Sequence, residues 1–374
     1  MKVLFLATIP SPYRVHFFNE LGKHCELTVL FEKNFSKDRN SEWRQYNIKN
    51  FKAIFLRGIA VKANKAFCPE IVRVYKMVQH DVLIIGGYNT PTSMYLISFL
   101  RRHKIDFILS ADGAQVKNEK TLAYKVKKYF ISSASMWIGT SQSTKEYFLH
   151  YGAKKDCIEF YPFTSIYDNQ VLLEPLTQSE KQNLRKKLGM DNKYTIISVG
   201  QFIYRKGFDI LLDAACKLPR NVQFYIIGGK PTDEYLMIIK KYKLENVYFL
   251  PFMNSAKLTE YYKASDLFVL PTREDIWGLV INEAAAAALP IITTTACVAG
   301  VEFIKKYENG VLVKKDDVQS LIKEITTLLE DEITQNKMAL ASLVAAHAYT
   351  FENMAAVHMN IIRKFMSIKD SNQD

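Results

Sequence analysis

Residues 194–218 read YTIISVGQFIYRKGFDILLDAACKL. The uncharged, largely β-branched run 194–200 predicts a strand ending at Gly200. QFIYRKG then forms a loop, and from residue 208 to 218 the apolar positions recur at helical spacing, which predicts an amphipathic helix. A strand, a loop and a helix in that order is one half of a βαβ unit. The same grammar continues downstream, with strands expected at 221–229, 246–252, 266–272 and 290–294.

The grammar also runs upstream. A strand over Lys2–Ala7 is followed by the loop TIPSPYR and a helical pattern over 15–23. Short apolar runs at 26–32, 81–87, 106–112 and 135–141 alternate with helical stretches such as 91–103. Strands of this kind separated by helices predict an α/β fold in which each parallel sheet is covered on both faces. Between 168 and 193 the pattern lapses into a polar linker and one helix. The expected organisation is therefore two Rossmann-like domains, 1–168 and 169–350. A C-terminal helix near 351–367 would pack back onto the first, and the tail to 374 would be frayed. Ligands of open α/β sheets bind outside the carboxyl ends of the strands, so the expected site is the cleft across which the two sheets face each other.

A chain of 374 residues, 48% hydrophobic and 24% charged, suits about two globular domains. Cys25, Cys68, Cys157, Cys216 and Cys297 are scattered, without a CxxC pair, which fits buried thiols in a reducing, cytoplasmic setting rather than a disulfide framework or a zinc site. MKVLFLATIP is too short, and too soon broken by Pro10, to read as a signal peptide. The uncharged stretch 284–301 is interrupted by Pro290 and three threonines. It reads as a buried helix, a turn and a buried strand rather than a membrane span. The net charge of +12 is uneven: residues 1–168 hold 25 Lys and Arg against 14 Asp and Glu, and the remainder 25 against 24. A basic first half implies an acidic partner: an anionic membrane surface, nucleic acid or a phosphorylated substrate.

Two loops carry the chemistry. Gly200 ends a strand, and Arg205 and Lys206 stand just before a helix that begins near Gly207. A helix N-terminus with a guanidinium and an ammonium beside it suits a diphosphate. An isolated Arg-Lys-Gly triplet reads more readily as a solvated basic turn. About seventy residues on, REDIWGLVINEA (273–284) places acids on both sides of an apolar, glycine-containing turn. If Leu279 opens a helix, Gly278 allows close backbone approach and the amides of 278–280 point outward. Glu283, one turn in, is placed to accept from a ribose diol, and Asp275 from hydroxyls of a second group. Glu283 alone would be an ordinary first-turn acid.

Together these stretches resemble the donor-binding domain of family-four glycosyltransferases, which have the GT-B fold. The likeness covers about residues 194–325 strongly, through SVGQFIYRKGFDILLDA, DLFVLPTREDIWGLVINEAAAAALPIITT and ENGVLV (308–313). It is weaker over 1–165, where IPSPYRVHFFNEL and ILSADG carry it. The resemblance implies that Arg205 and Lys206 hold the donor diphosphate and supply the main catalytic stabilisation, beside Gly200. It implies that Glu283 binds the ribose, and that Asp275 with Ile276, Trp277, Gly278, Leu279 and Val280 meets the donor sugar. Asp275 stands where relatives have Glu, which sets the carboxylate back by one methylene. It further implies retention of configuration and no essential metal. No cofactor is expected, since the nucleotide sugar is a substrate.

The first-half loop has two prolines where many relatives have glycines. Its Ser11, Tyr13 and Arg14, with Ser110, are assigned to the acceptor side. Asp112 is a candidate to orient the acceptor hydroxyl, although an Asp before Gly is commonly a turn former. The expected acceptor is a saccharide or a lipid-linked saccharide in surface-polysaccharide synthesis. The segment 117–130 (KNEKTLAYKVKKYF) has two readings. In one, Lys120, Lys125, Lys127 and Lys128 flank an apolar stripe that lies on an anionic inner leaflet, making the protein peripheral on the membrane. In the other, the stripe packs in the core and the lysines are solvated. Rival activities are a same-fold enzyme such as a UDP-N-acetylglucosamine 2-epimerase and, more distantly, nucleic-acid binding. The latter finds no helix-turn-helix, RRM or zinc pattern. A dehydrogenase finds no GxGxxG.

Overall fold

The computed structural model describes residues 1–34, 47–62, 65–116, 119, 121–191 and 193–371. It divides into two compact units, Met1–Thr164 with Phe351–Asp374, and Ser165–Thr350. The sequence reading had placed that first division after residue 168.

The first unit runs β1 (Lys2–Ala7), α1 (Pro12–Leu21), β2 (Glu26–Phe31), β3 (Lys52–Phe55), β4 (Ile59–Lys62), β5 (Lys65–Phe67), α2 (Ile71–Met77), β6 (Val82–Ile85), α3 (Pro91–Arg102), β7 (Ile108–Ser110), α4 (Thr121–Ile131), β8 (Met136–Gly139), α5 (Gln142–His150) and β9 (Ile158–Phe160). Its parallel sheet has the order β3-β2-β1-β6-β7-β8-β9. The central strands β1 and β6 are apolar runs because helices cover both faces. Helix starts are written locally. Pro12 opens α1, where its missing N–H costs nothing. Thr90 and Ser93 form a reciprocal cap on α3, Thr90 Oγ1 accepting from Ser93 N at 3.1 Å. Strand order reverses direction between β1 and β6, so the loops leaving those strands diverge and open a crevice at their carboxyl ends.

The second unit runs α6 (Gln178–Leu188), β10 (Tyr194–Val199), α7 (Phe208–Ala215), β11 (Val222–Ile227), α8 (Asp233–Tyr242), β12 (Val247–Leu250), α9 (Ser255–Ala264), β13 (Leu267–Leu270), α10 (Leu279–Ala286), β14 (Ile291–Thr294), α11 (Val298–Tyr307), β15 (Gly310–Val313), α12 (Val318–Glu330) and α13 (Glu332–Ala348). Its sheet is parallel with the order β12-β11-β10-β13-β14-β15, and its switch point falls between β10 and β13. Ile196, Phe208, Leu211, Phe224, Leu267 and Val269 make the centre of its core. The last helix, α14 (Phe351–Ser371), returns to the first unit and packs on α1. Phe17 meets His358 at 4.6 Å between ring centroids, and Lys364 pairs with Glu159 at 2.6 Å.

Several elements depart from the sequence reading. The strands β3, β9 and β15 and the antiparallel hairpin β4–β5 were not foreseen, because segments of three or four residues are too short to show a strand periodicity. The stretch 284–301 ends in the first turn of α11, not in a strand: Thr294 closes β14, and Val298 opens the next helix. Among the described residues no helix is long and apolar enough to cross a membrane. All five cysteines are free thiols.

Candidate functional site

The switch point of the second sheet brings together the two loops singled out in the sequence. After β10 the chain passes Gly200, makes a 3-10 turn over Tyr204–Lys206 and enters α7 through Gly207. Gly207 has φ +69, and a Cβ there would lie 2.1 Å from the Pro271 carbonyl oxygen. Only glycine allows the two loops to touch at that point. The carbonyl of Arg205 then accepts from Arg273 N at 2.8 Å and from Thr272 Oγ1 at 2.9 Å. After β13 the second loop ends at Gly278, φ +99, and α10 begins at Leu279. In the first turn of α10 the Ile281 amide donates to the Gly278 carbonyl at 2.9 Å, and the amides of Leu279 and Val280 precede it at the positive end of the helix dipole.

Lys206 Nζ lies 2.6 Å from Asp275 Oδ2, and Arg205 Nη1 lies 3.5 Å from Asp275 Oδ1. The aliphatic stem of Lys206 runs over Gly200, where an added Cβ would meet Lys206 Cε at 3.1 Å. Lys206 and Asp275 are both buried. The Arg205 side chain is 41% exposed and donates to the Glu274 carbonyl at 2.6 Å. One face of its guanidinium therefore remains toward solvent. Asp275 is fixed by its backbone, its N–H donating to Ala296 O and its carbonyl accepting from Val298 N. Trp277 is buried and donates from Nε1 to Asn282 Oδ1 at 3.1 Å. Ile276 is exposed, and Leu279 and Val280 occupy the first turn of α10.

Glu283 is one turn into α10 and lines a pocket with Ser165, Gln170, Tyr262 and Ala287. It accepts from Ser165 Oγ at 3.2 Å and from Tyr262 O–H at 3.1 Å. Burial pushes its carboxyl up to about 7. The two hydroxyl donors and the Lys206 charge pull the other way without cancelling that effect. Two long bonds leave lone pairs on both oxygens for further donors.

Four residues of this site were not read from the sequence. Ser165 and Tyr262 come from distant segments with no motif. Arg273 and Asp209 lie inside the quoted stretches but were passed over. Arg273 donates to both oxygens of Asp209 at 2.8 and 2.6 Å and from Nε to Asp316 at 2.6 Å, and stacks on the Tyr204 ring at 3.9 Å. It staples the second loop to the first turn of α7. An arginine beside two acids at a strand end was the available signal.

The first unit holds a second cluster at its strand ends. Arg14 Nη2 donates to both oxygens of Asp112 at 2.5 Å, and Tyr161 O–H donates to Oδ1 at 2.6 Å. Burial works against the Arg14 charge, but Asp112, Tyr161 and Tyr13 outweigh it and raise its pKa. Arg14, assigned from the sequence to the acceptor side, has its charge engaged by Asp112 in the structure. The Asp112 side chain keeps 27% exposure, and Ser11 and Ser110 are buried. Tyr13 packs edge-on against Phe163 at 5.5 Å. Among the described residues no group of three or more His, Cys, Asp or Glu side chains is placed to hold a metal ion.

Residues 180–342 match the family model for glycosyl transferases group 1. An uncharacterized glycosyltransferase of Methanocaldococcus jannaschii is 29% identical over 204 residues, covering 52% of this chain and 51% of that protein. The D-inositol 3-phosphate glycosyltransferase of Xylanimonas cellulosilytica is 24% identical over 238 residues, covering 62% and 57%. The chain thus spans about half the length of these curated relatives. Among solved structures, Anabaena HepE in complex with UDP superposes with a TM-score of 0.76 at 18% identity, covering 98% of this chain and 100% of that one. That likeness shows the fold: two Rossmann-like domains of the GT-B type.

Proposed function

We propose that this chain, which over residues 180–342 belongs to the glycosyl transferases group 1 family, moves a sugar from a nucleotide-sugar donor to a hydroxyl of a saccharide acceptor. The observation that carries this reading is the meeting of Arg205, Lys206 and Asp275 at the switch point of the second sheet, beside the N-terminus of α10. Two cations next to the leading amides of a helix, those of Leu279 and Val280, suit a diphosphate, whose charge grows as the sugar bond breaks. Arg205 and Lys206 would stabilise that leaving group, and losing one such contact costs roughly 10²–10³ in rate. Glu283 would accept from the ribose hydroxyls. Asp275, with the amides that follow it, would meet the sugar.

UDP is the nucleotide bound in the Anabaena relative of this fold, which supports a uridine or similar diphosphate here. Retention of configuration follows the family pattern. On the acceptor side, Asp112 would receive the acceptor hydroxyl while Arg14 and Tyr161 hold its carboxylate in place. A lipid-linked saccharide fits the basic first unit.

The test is calorimetric titration of UDP, GDP, ADP and their common sugar conjugates, without added metal, into the wild type and the Arg205→Ala/Lys206→Ala double variant. Micromolar binding of one nucleoside diphosphate that is lost in the variant is expected. Binding that survives the variant, or no binding across the panel, would overturn the assignment. A sugar nucleotide converted to its epimer without acceptor would replace transfer by epimerisation.

A further inference from the structure

Helix α4 is apolar on two sides. Its inward side carries Tyr124, Lys127, Phe130 and Ile131, of which Ile131 is buried and the other three half-buried, Tyr124 and Phe130 packing on the core of the first unit. Lys127 pairs with Glu119 at 2.5 Å and lies over the Tyr151 ring at 5.3 Å. The sequence reading had placed Lys127 among the lysines of a membrane-facing stripe. The structure removes it from that role, and Lys120 lies outside the described residues. The opposite side of α4 presents Leu122, Val126 and Tyr129, 75%, 40% and 41% exposed. These positions follow i, i+4, i+7 and form one stripe. Of the apolar positions in this segment, Phe130 packs toward the core, whereas Leu122, Val126 and Tyr129 do not. Helices of globular domains turn such stripes inward, so an outward one marks an interaction surface.

The surroundings of the stripe say what covers it. Lys125 and Lys128 are exposed along one edge. Arg101, at the end of α3, reaches across to stack on Tyr129 at 4.4 Å and to donate to its carbonyl at 2.9 Å. Between residues 71 and 131 the chain has ten Lys and Arg against four Asp and Glu. Each of those four acids accepts a bond from within the first unit: Asp81 from Lys2 N, Asp106 from Ser135, Asp112 from Arg14 and Glu119 from Lys127. The sequence of this stretch thus carries an excess of positive charge, and its four acids are already engaged.

We propose that the outward face of α4 docks on an anionic lipid bilayer, with Leu122, Val126 and Tyr129 entering the headgroup region and Lys125, Lys128 and Arg101 contacting lipid phosphates. An aliphatic and aromatic centre edged by basic residues is the composition of an interfacial helix, in which apolar insertion and headgroup attraction add. A nucleic-acid backbone offers nothing for the apolar centre. A second copy of this chain would bring like-charged lysines together. The surface lies wholly in the first unit and stands independently of the donor site.

The test is co-sedimentation of the full chain with vesicles of phosphatidylcholine alone and of phosphatidylcholine mixed with phosphatidylglycerol, at low and high salt. Binding to the mixed vesicles that weakens with salt is expected. Leu122→Ser/Val126→Ser and Lys125→Gln/Lys128→Gln should each lower partitioning roughly tenfold or more, with circular dichroism melts unchanged because these side chains are exposed. A Leu122→Trp reporter should shift its emission to the blue on the mixed vesicles. The proposal is overturned if the chain ignores both vesicles or if both double variants bind like the wild type. It is equally overturned if Leu122→Ser/Val126→Ser converts a dimer to a monomer, or if Lys125→Gln/Lys128→Gln abolishes binding to duplex nucleic acid while vesicles are not bound.

Discussion

Lys206 and Asp275, 69 residues apart in sequence, form a buried ion pair at 2.6 Å. The cation assigned to the diphosphate and the acid assigned to the sugar thus hold each other. A diphosphate arriving at Lys206 must share it with Asp275.

Asp275→Asn should therefore separate binding from transfer. Removing the competing charge frees Lys206, and nucleoside diphosphate affinity should rise about fivefold, equivalent to ~1 kcal/mol. Transfer of the sugar should fall, because the acid meant for its hydroxyls is gone. Parallel calorimetry and product assay check this. A variant that binds the diphosphate more weakly would mean that Asp275 positions Lys206 instead of competing for it.

Glu283 gives the second unit a distinctive pH dependence. Its carboxyl is raised from 4.5 to about 7 by burial, so between those values the folded state binds more protons than the unfolded one. This contribution to stability therefore falls as pH rises from about 4.5 to about 7, and the penalty is complete above 7. Glu283→Gln removes the penalty, and its stability relative to the wild type should increase across that window by about 1–3 kcal/mol. Urea unfolding of both proteins at pH 5 and pH 8 measures the difference. A constant difference would show an unshifted carboxyl.

Arg273 joins loop to helix through Asp209, Asp316 and the Tyr204 ring. Arg273→Met leaves partly buried Asp209 without its cation and should cost about 3 kcal/mol. Arg273→Lys should recover little of it, since an ammonium cannot make the bidentate bond to Asp209 while also bonding Asp316 and stacking on Tyr204. Thermal melts compare the three proteins. Recovery to wild-type stability in the lysine variant would reduce the contact to simple charge pairing.

His358 should govern the acid limb of the first unit. It is buried, its Nδ1 bonded to the Met354 carbonyl and its Nε2 without a partner. Burial pushes it down to about 3, against the help of that carbonyl and with the Arg14 charge adding to the depression. Here the unfolded state binds the extra proton, so stability contributed by His358 is present above 6.5 and is lost as pH falls toward 3. His358→Gln should flatten that limb relative to the wild type. Tracking unfolding midpoints from pH 7 to pH 4 tests this, and parallel curves would count against it.

The two loops at the switch point of the second sheet were legible because their sequence signals are local. A strand end, a Gly-Phe-Asp helix start and an acid-to-acid spacing of eight residues all lie within single segments. The central strands were legible for the same reason, each being one short apolar run. What escaped the sequence is what distant segments supply. Tyr262 and Ser165 reach Glu283 from across the second unit, and Tyr161 reaches Asp112 from 49 residues away. Pairing partners were equally hidden: Arg14 and Lys206 each read as a free cation until the fold set a carboxylate against it. In α4 the residue types were plain, but periodicity gives only the stripe and not the direction in which it faces.

The return of α14 to the first unit bears on the order in which the chain can fold during synthesis. Residues 165–350 are continuous and can close their own sheet as soon as they leave the ribosome. The first unit is made first yet must wait: Phe17 and Tyr161 meet the ring of His358, which is translated nearly two hundred residues after Tyr161. Until then α1 has an apolar flank uncovered while the second unit completes itself. The unit translated ahead of the other is thus the later to finish folding, and its exposed flank is where a chaperone would be needed.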